Sequence, residues 1–491
     1  MRVDMRLDLR ETLRQRSGQG RLIGLDEAEL IERTQQQSQK LTQVDRSNST
    51  VLLAEPDPID FLAGFIAAVA AECPVFLGNP QWSEAEWQDV LGLVQPDWVW
   101  ASREIASELP CQNPKPRFAA GTIGIPTGGS SGQIRFALHS WETLTASVAG
   151  FRAYFRPDRA GRAALHRVNS CCVLPLFHVS GLMQFLRSFC SGGKFALFAS
   201  KVLEQQIQQI DPAEFCISLV PTQLQQLLQN PANLDWLSRF QMILLGGAPA
   251  WSSLLETARS HRLRIALTYG MTETASQVVA LKPQDFLQGQ LGCGQVLPHA
   301  QLAICDPQGN PVEPGQTGII TIRARSLCRA YFPAQPDFQL AETRQLVTDD
   351  LGYFDSAGFL HLLGRNSQKI ITGGENVFPA EVEAAIRQTG LVQDVCVVGL
   401  PDYPASDAPD RALDTQEGTT PDRVWGEVVT ALIVPVVDRS IADLEAALQP
   451  KLSRYKQPKQ WIVVDRIPRN LQGKINAQQL KEWLKNEQFK S

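Results

Sequence analysis

Short apolar runs alternate with amphipathic stretches through the first part of the chain. Ser170–Pro175, Phe215–Val220 and Gln241–Gly246 are each too short for a helix, rich in strand formers and closed by Pro or Gly. Strands buried on both faces have this continuous apolar character, so the runs predict a parallel sheet in an α/β fold. The longest apolar run, Phe61 to Ala71, is about half the length needed to cross a bilayer. It predicts a buried helix that turns at Pro74 into a strand at Val75–Gly78.

The pattern changes near Leu297. Ala300–Cys305 and Thr317–Arg325 alternate as antiparallel strands do, with turn signals at Asp306–Asn310 and Pro314-Gly315 between them, which fits a small antiparallel barrel or sheet. Beyond Gly364 comes a third texture. It predicts a helix after Pro379, strands at Val395–Leu400 and Val428–Val436, a helix at Leu444–Leu448, a strand at Trp461–Val464 and a last helix from Asn476. The expected division is a large domain over residues 1–364 and a small α+β domain over 365–491. Residues 402–422, rich in Pro, Asp and Thr and poor in large apolar side chains, read as a flexible insertion.

Composition narrows the class without choosing a function. In 491 residues, 44% are hydrophobic and 20% charged, as in soluble globular proteins. A net charge of −5 argues against a general nucleic-acid binder or a polybasic membrane protein, and leaves room for a small anionic ligand in a locally positive pocket. The first eight residues mix charges and lack the apolar stretch of a signal peptide. Ten cysteines without a Cys-x-x-Cys pair suit neither a disulfide framework nor a zinc site, and point to reduced thiols in a cytoplasmic protein. Nothing in the sequence decides the oligomeric state, and a homo-oligomer stays open.

Five segments carry candidate chemistry. In Thr127-Gly128-Gly129-Ser130-Ser131-Gly132, glycines admit a polyphosphate close to the backbone and hydroxyls add donors, with Arg135 supplying charge. The spacing is not that of a P-loop, and a plain linker has the same composition. Next, an apolar strand runs into Tyr269-Gly270-Met271-Thr272-Glu273. The tyrosine offers a face for a purine and the glutamate a hard oxygen ligand for Mg²⁺, unless this is an ordinary strand-to-loop junction. In the third, Asp350 can accept from two ribose hydroxyls, and Arg365 can donate to the same sugar or to a phosphate. The fourth is Lys369–Asn376, with Gly373-Gly374 at its centre. The fifth places Lys474 after a glycine and before a helix, where a lone lysine is otherwise a solvated surface residue.

Taken in order, the five segments resemble the acyl-adenylate-forming superfamily of acyl-CoA synthetases, luciferases and adenylation domains, from Asp57 to the chain's end. The resemblance implies an α/β protein. Its large N-terminal domain would hold two parallel-rich sheets and a small β-barrel, followed by a small mobile α+β C-terminal domain. It implies that Thr127 to Gly132 cover the ATP β- and γ-phosphates. Gly246, Gly247 and Ala248 would run along the adenine and acyl pocket, and Tyr269 and Gly270 would flank adenine. Thr272 would touch the α-phosphate, Glu273 would ligate Mg²⁺, and Asp350 and Arg365 would bind ribose. Lys474 would bridge the acyl carboxylate and the α-phosphate, and Gly373 and Gly374 would enter the site for the thiol step. The chain departs from the family pattern at Ile134-Arg135-Phe136, where Pro-Lys-Gly is usual, and at the hinge position Ser367, usually Asp or Lys.

Three strings, Pro175–Leu182, Leu219–Leu224 and Tyr269–Gln277, resemble the 2-succinylbenzoate–CoA ligases of menaquinone and phylloquinone synthesis. His178 lines the acyl pocket or is a core histidine. The implied reaction is ATP- and Mg²⁺-dependent activation of a small carboxylic acid as acyl-AMP, then transfer to CoA. Alternatives are another aromatic- or fatty-acid–CoA ligase, an enzyme loading a carrier protein, or a nucleotide-binding protein without turnover. No carrier domain follows Ser491, which favours free CoA, and no stable membrane insertion or nucleic-acid partner is expected.

Overall fold

The computed structural model describes residues 9–16, 18–42, 49–102, 115–128, 134–155, 167–334, 345–372, 375–401, 427–436, 440–468 and Leu480. The apolar runs form strands where the sequence places them: Ser170–Cys172, Cys216–Leu219 and Met242–Leu245, every residue of them buried. They belong to an eight-stranded sheet. From Leu22–Ile23 through Phe195–Leu197, the three runs and Ile265–Met271, each strand is parallel to its neighbour. Ser276–Ala280 and Gln295–Val296 then add antiparallel edges.

A six-stranded sheet is built from Trp98–Trp100, Val51–Leu53, Val75–Leu77 and Ile123–Gly128 in parallel, followed by Ile134–His139 and Ala330–Phe332 antiparallel. Between the sheets lies the predicted buried helix, Pro58–Ala70. Its start follows from local chemistry. Pro58 needs no amide partner in the first turn, and the Asp57 carboxylate accepts from the amides of Ile59 and Asp60. Its nine consecutive buried residues, Phe61 to Val69, explain why the run shows no polar face. One apolar cluster joins this helix and Val179–Ser191 to inner residues of both sheets, among them Leu53, Leu77, Ile125, Cys172 and Phe195. Burial at roughly 25 cal/mol per Å² of apolar surface is what holds the two sheets at a fixed distance.

The expected small antiparallel unit is a four-stranded sheet of Ala300–Cys305, Gly318–Ala324, Leu346–Phe354 and Leu360–Arg365. Past it, Ile370–Thr372 and Glu375–Val377 form a hairpin with Gly373-Gly374 between its strands. Val392–Pro401, Glu427–Pro435 and Gln460–Val463 make a three-stranded sheet covered by helices Pro379–Arg387 and Ile441–Leu448. This region has its own core around Val382, Ile386, Val397, Val429 and Leu444. The stretch 402–422, and the helix expected from Asn476 apart from the buried Leu480, lie outside the described residues. No described helix is long and apolar enough to cross a membrane.

Candidate active site

The two large sheets converge at the carboxyl end of strand Ile265–Met271. This strand carries Tyr269 and Gly270, and the 3₁₀ turn Thr272–Thr274 follows it. Gly270 has no room for a side chain, because a Cβ there would lie 2.2 Å from the Ser276 carbonyl oxygen. Glu273, which the sequence could equally present at an exposed junction, is 7% exposed. The Thr127 hydroxyl donates to its Oε1 at 3.4 Å, and the Tyr331 hydroxyl donates to the same oxygen. Oε2 accepts no hydrogen bond among the described residues.

A buried carboxylate served on one oxygen retains an uncompensated burial cost. Two hydrogen bonds to an ionised acceptor are worth about 1.5–3 kcal/mol each, against a penalty of several kcal/mol for burying the ion. Oε2 together with the Thr127 hydroxyl is an all-oxygen donor set of the kind that suits Mg²⁺. Burial, then the Glu273 charge, raises the Tyr331 phenol, so it stays a donor.

Tyr269 lies beside this carboxylate on the same strand. Its hydroxyl donates to Asp350 Oδ2 at 2.7 Å, and its pKa is raised by burial and by Asp350. The ring is only 7% exposed and packs in the core, so its clearest structural task is to orient Asp350. Strands Leu346–Phe354 and Leu360–Arg365 pair Asp350 directly with Arg365, whose Nε is 3.5 Å from Oδ1. The guanidinium is half-exposed and keeps donors for another partner. Asp349, next along the strand, accepts from the backbone amide of Ser367 at 3.0 Å and from its hydroxyl.

Thr127, Thr272, Glu273, Tyr269, Gly270, Asp350 and Arg365 thus form one connected group. Thr127 and Gly128 end one arm of a hairpin with Ile134–His139, and Thr127 pairs with Arg135 across it. Gly129, Ser130, Ser131 and Gly132 lie outside the described residues, as do Gly373, Gly374 and Lys474.

Gly246 packs on the strand of Tyr269, and a Cβ there would lie 2.3 Å from Thr268 Oγ1. Gly247 has φ +83°, a conformation that favours glycine. Ala248 lines a cleft with Val220, Thr222 and Trp251, closed on its far side by Glu383 and Arg387 of the C-terminal region. The Arg387 guanidinium lies 5.0 Å over the Trp251 ring. His178 occupies the N-cap position of helix Val179–Ser191, half-buried against Phe177.

Sequence reasoning missed three residues. Tyr331 is one. The second is His139, wholly buried, with Nε2 2.8 Å from the Thr272 carbonyl oxygen and Nδ1 2.9 Å from the Thr143 hydroxyl. The third is Arg187, which is 1% exposed and the one charged residue on its helix. It donates to Ser276 Oγ at 2.8 Å and Gln277 Oε1 at 2.5 Å and lies over the Phe151 ring, while its Nε has no partner. Burial lowers its pKa to about 10, so it is still cationic near neutrality, and no carboxylate pairs with it among the described residues. A lone arginine interrupting the apolar stripe of Val179–Ser191 was the available signal.

Residues 122–332 match the AMP-binding enzyme family. The 2-succinylbenzoate–CoA ligase of Oceanobacillus iheyensis is 31% identical over 364 residues, 73% of this chain and 67% of that protein. The o-succinylbenzoate CoA synthetase of Bacillus subtilis, solved with its acyl-adenylate intermediate, superimposes with a TM-score of 0.75 at 26% identity. That match covers 96% of this chain and 97% of the other. The same enzyme solved with ATP and magnesium ion gives a TM-score of 0.74, also at 26% identity, over 96% and 99% of the two chains.

The buried imidazoles set a pH dependence. Burial lowers both His139 and His299 to about 4, from the ordinary 6.5. Neither ring nitrogen of His299 has a partner. A depressed histidine favours the folded state fully above 6.5 and loses that contribution as pH falls towards 4. The expected slope is about 1.4 kcal/mol per pH unit for each ring within that window. Thermal unfolding midpoints should therefore be flat between pH 7 and 8 and fall below 6.5, and His299→Gln should reduce the fall. An unchanged slope in the variant would show that His299 takes up no proton on unfolding.

Proposed function

We propose that this chain, which belongs to the AMP-binding enzyme family alongside the 2-succinylbenzoate–CoA ligases, joins 2-succinylbenzoate to CoA through an acyl-adenylate, with ATP and Mg²⁺. The observation that carries this reading is the single connected group running from Thr127 through Glu273 to Tyr269, Asp350 and Arg365. It matches, in order, the needs of a triphosphate, a metal ion and a ribose. A cytoplasmic setting in menaquinone or phylloquinone synthesis goes with this activity.

A carboxylate is a poor electrophile. In the first half-reaction its oxygen attacks the ATP α-phosphorus, a P–O bond forms, and pyrophosphate leaves with the electrons of the bond that breaks. Arg365 and Asp350 hold the ribose. The Thr272 hydroxyl, with Lys474 as the resemblance implies, would stabilise the charge that accumulates on the α-phosphate and keep nucleophile and leaving group in line. Glu273 and Thr127 would hold Mg²⁺, which would neutralise phosphate charge when bound. In the second half-reaction the CoA sulfur attacks the acyl carbon. The bond to the AMP oxygen breaks, AMP departs, and the thiol proton goes to solvent.

Both halves act at one acyl centre with different walls. The 365–491 region serves as a lid turning near Ser367, exchanging Lys474 for Gly373-Gly374. The acid itself has a second carboxylate that is not activated. Arg187, cationic, buried and paired with no carboxylate among the described residues, is suited to receive it, and its links to Ser276 and Gln277 set it a few residues beyond Glu273.

Three measurements check this reading. A pyrophosphate-release assay over aromatic, fatty and dicarboxylic acids should give 2-succinylbenzoate the highest kcat/KM, with its CoA thioester as product; a tenfold preference for another acid overturns the substrate. Lys474→Ala should abolish adenylation and largely spare thiolysis of supplied acyl-AMP, whereas equal loss of both halves refutes the role of the lysine. Arg187→Gln should raise KM for 2-succinylbenzoate roughly 10- to 100-fold, as expected for one charge-assisted contact, and leave KM for ATP and for a monocarboxylic analogue nearly unchanged. A uniform effect on all three substrates would mark Arg187 as merely structural.

A further inference from the structure

The turn that carries Thr272 and Glu273 is held against its own preference. Ala275 and Ser276 both have left-handed backbones, φ +50° and +88°, although neither is glycine. Such residues cost of order 1–3 kcal/mol each and persist only where the surroundings over-determine them. Here three carbonyls of the turn are each gripped from a different part of the chain. The Glu273 carbonyl accepts from the Cys328 amide at 2.8 Å, and the Ala275 carbonyl from the Ser147 hydroxyl at 2.7 Å. The Thr272 carbonyl faces His139 Nε2 at 2.8 Å.

Of the three grips, the histidine is the one that connects two nucleotide-facing elements. It is the last residue of Ile134–His139, the returning arm of the hairpin whose first arm, Ile123–Gly128, ends with Thr127 and Gly128. Its tautomer follows from its partners. A carbonyl only accepts, so Nε2 carries the proton, and Nδ1 is left to accept from the Thr143 hydroxyl. Thr143 is itself fixed by the amide of Ser140, one residue beyond the histidine.

We propose that His139 is a positioning residue for adenylation: its Nε2–H anchors the Thr272 carbonyl and so keeps the Thr272 hydroxyl and the Glu273 carboxylate in register with the phosphate-loop hairpin. The inference rests on the adenylation reading above. It assigns no contact with substrate to the imidazole. The grip is an alignment device, and alignment errors near 1 Å cost roughly 100-fold in rate.

The test compares His139→Gln with His139→Asn. The glutamine amide nitrogen falls near the position of Nε2 and can still donate to the Thr272 carbonyl; the asparagine amide is too short. Each variant is measured for the Mg²⁺ concentration dependence of ATP binding by calorimetry, for kcat and KM of pyrophosphate release, and for thiolysis of supplied acyl-AMP. The expected result is that Asn loses roughly 100-fold in kcat of pyrophosphate release, needs several-fold more Mg²⁺ and keeps thiolysis, while Gln recovers most of the loss. Equal behaviour of Gln and Asn, or an equal loss in both half-reactions, overturns the proposal; an Asn variant that fails to fold while Gln folds leaves the kinetics of Gln against wild type to decide, with a large loss in Gln overturning it. A wild-type protein that binds no Mg²⁺–ATP sinks the adenylation reading, whereas normal wild-type turnover with no Gln–Asn difference sinks His139 alone.

Discussion

The arrangement depends on keeping one carboxylate, that of Glu273, dry and aimed. Everything near it serves that end. The buried cluster between the sheets fixes their separation, the two left-handed residues after the turn point the glutamate inward, and hydroxyls from distant segments take one of its oxygens. The other oxygen accepts no hydrogen bond among the described residues. A flexible surface loop could offer the same residue types, but it could not hold a charged group out of water without neutralising or rotating it.

Opposite signs of charge stand on either side of the 272–276 turn. In the proposed reaction the carboxylates Glu273 and Asp350 would serve a cation and a hydroxyl donor, the metal and the sugar. The buried cation Arg187 lies on the other side of Ser276. In the proposed reaction an acid drawn towards that end would present its other carboxylate to the α-phosphate, with no protein nucleophile needed. Binding energy at the unreactive end would then fix geometry at the reactive one.

Much of the fold was legible because local pattern and burial agree. Continuous apolar runs became parallel strands, and the one run without a polar face became a helix enclosed on all sides. The site was legible as ordered motifs, since Tyr269, Glu273, Asp350 and Arg365 each stand at a strand end or on paired strands that bring them together. Tyr331, His139 and Ser147 were not legible. Their partners in the 272–275 turn lie far away in sequence, and nothing in a tyrosine or histidine on a strand announces a contact made by tertiary packing. The burial of Glu273 was hidden for the same reason, because its cover comes from strands elsewhere in the chain.

One feature of the four-stranded sheet ties the Asp350–Arg365 pair to Ser367. Asp349 and Asp350 are neighbours on a strand, so their side chains leave on opposite faces. One meets Ser367, beyond the end of the paired strand, and the other meets Tyr269 and Arg365. The pair works like a two-sided rack, with one tooth on Tyr269 and Arg365 and the other on Ser367. Sliding the strand by one residue would exchange the two faces and unhitch both at once, so length here is under tighter control than composition.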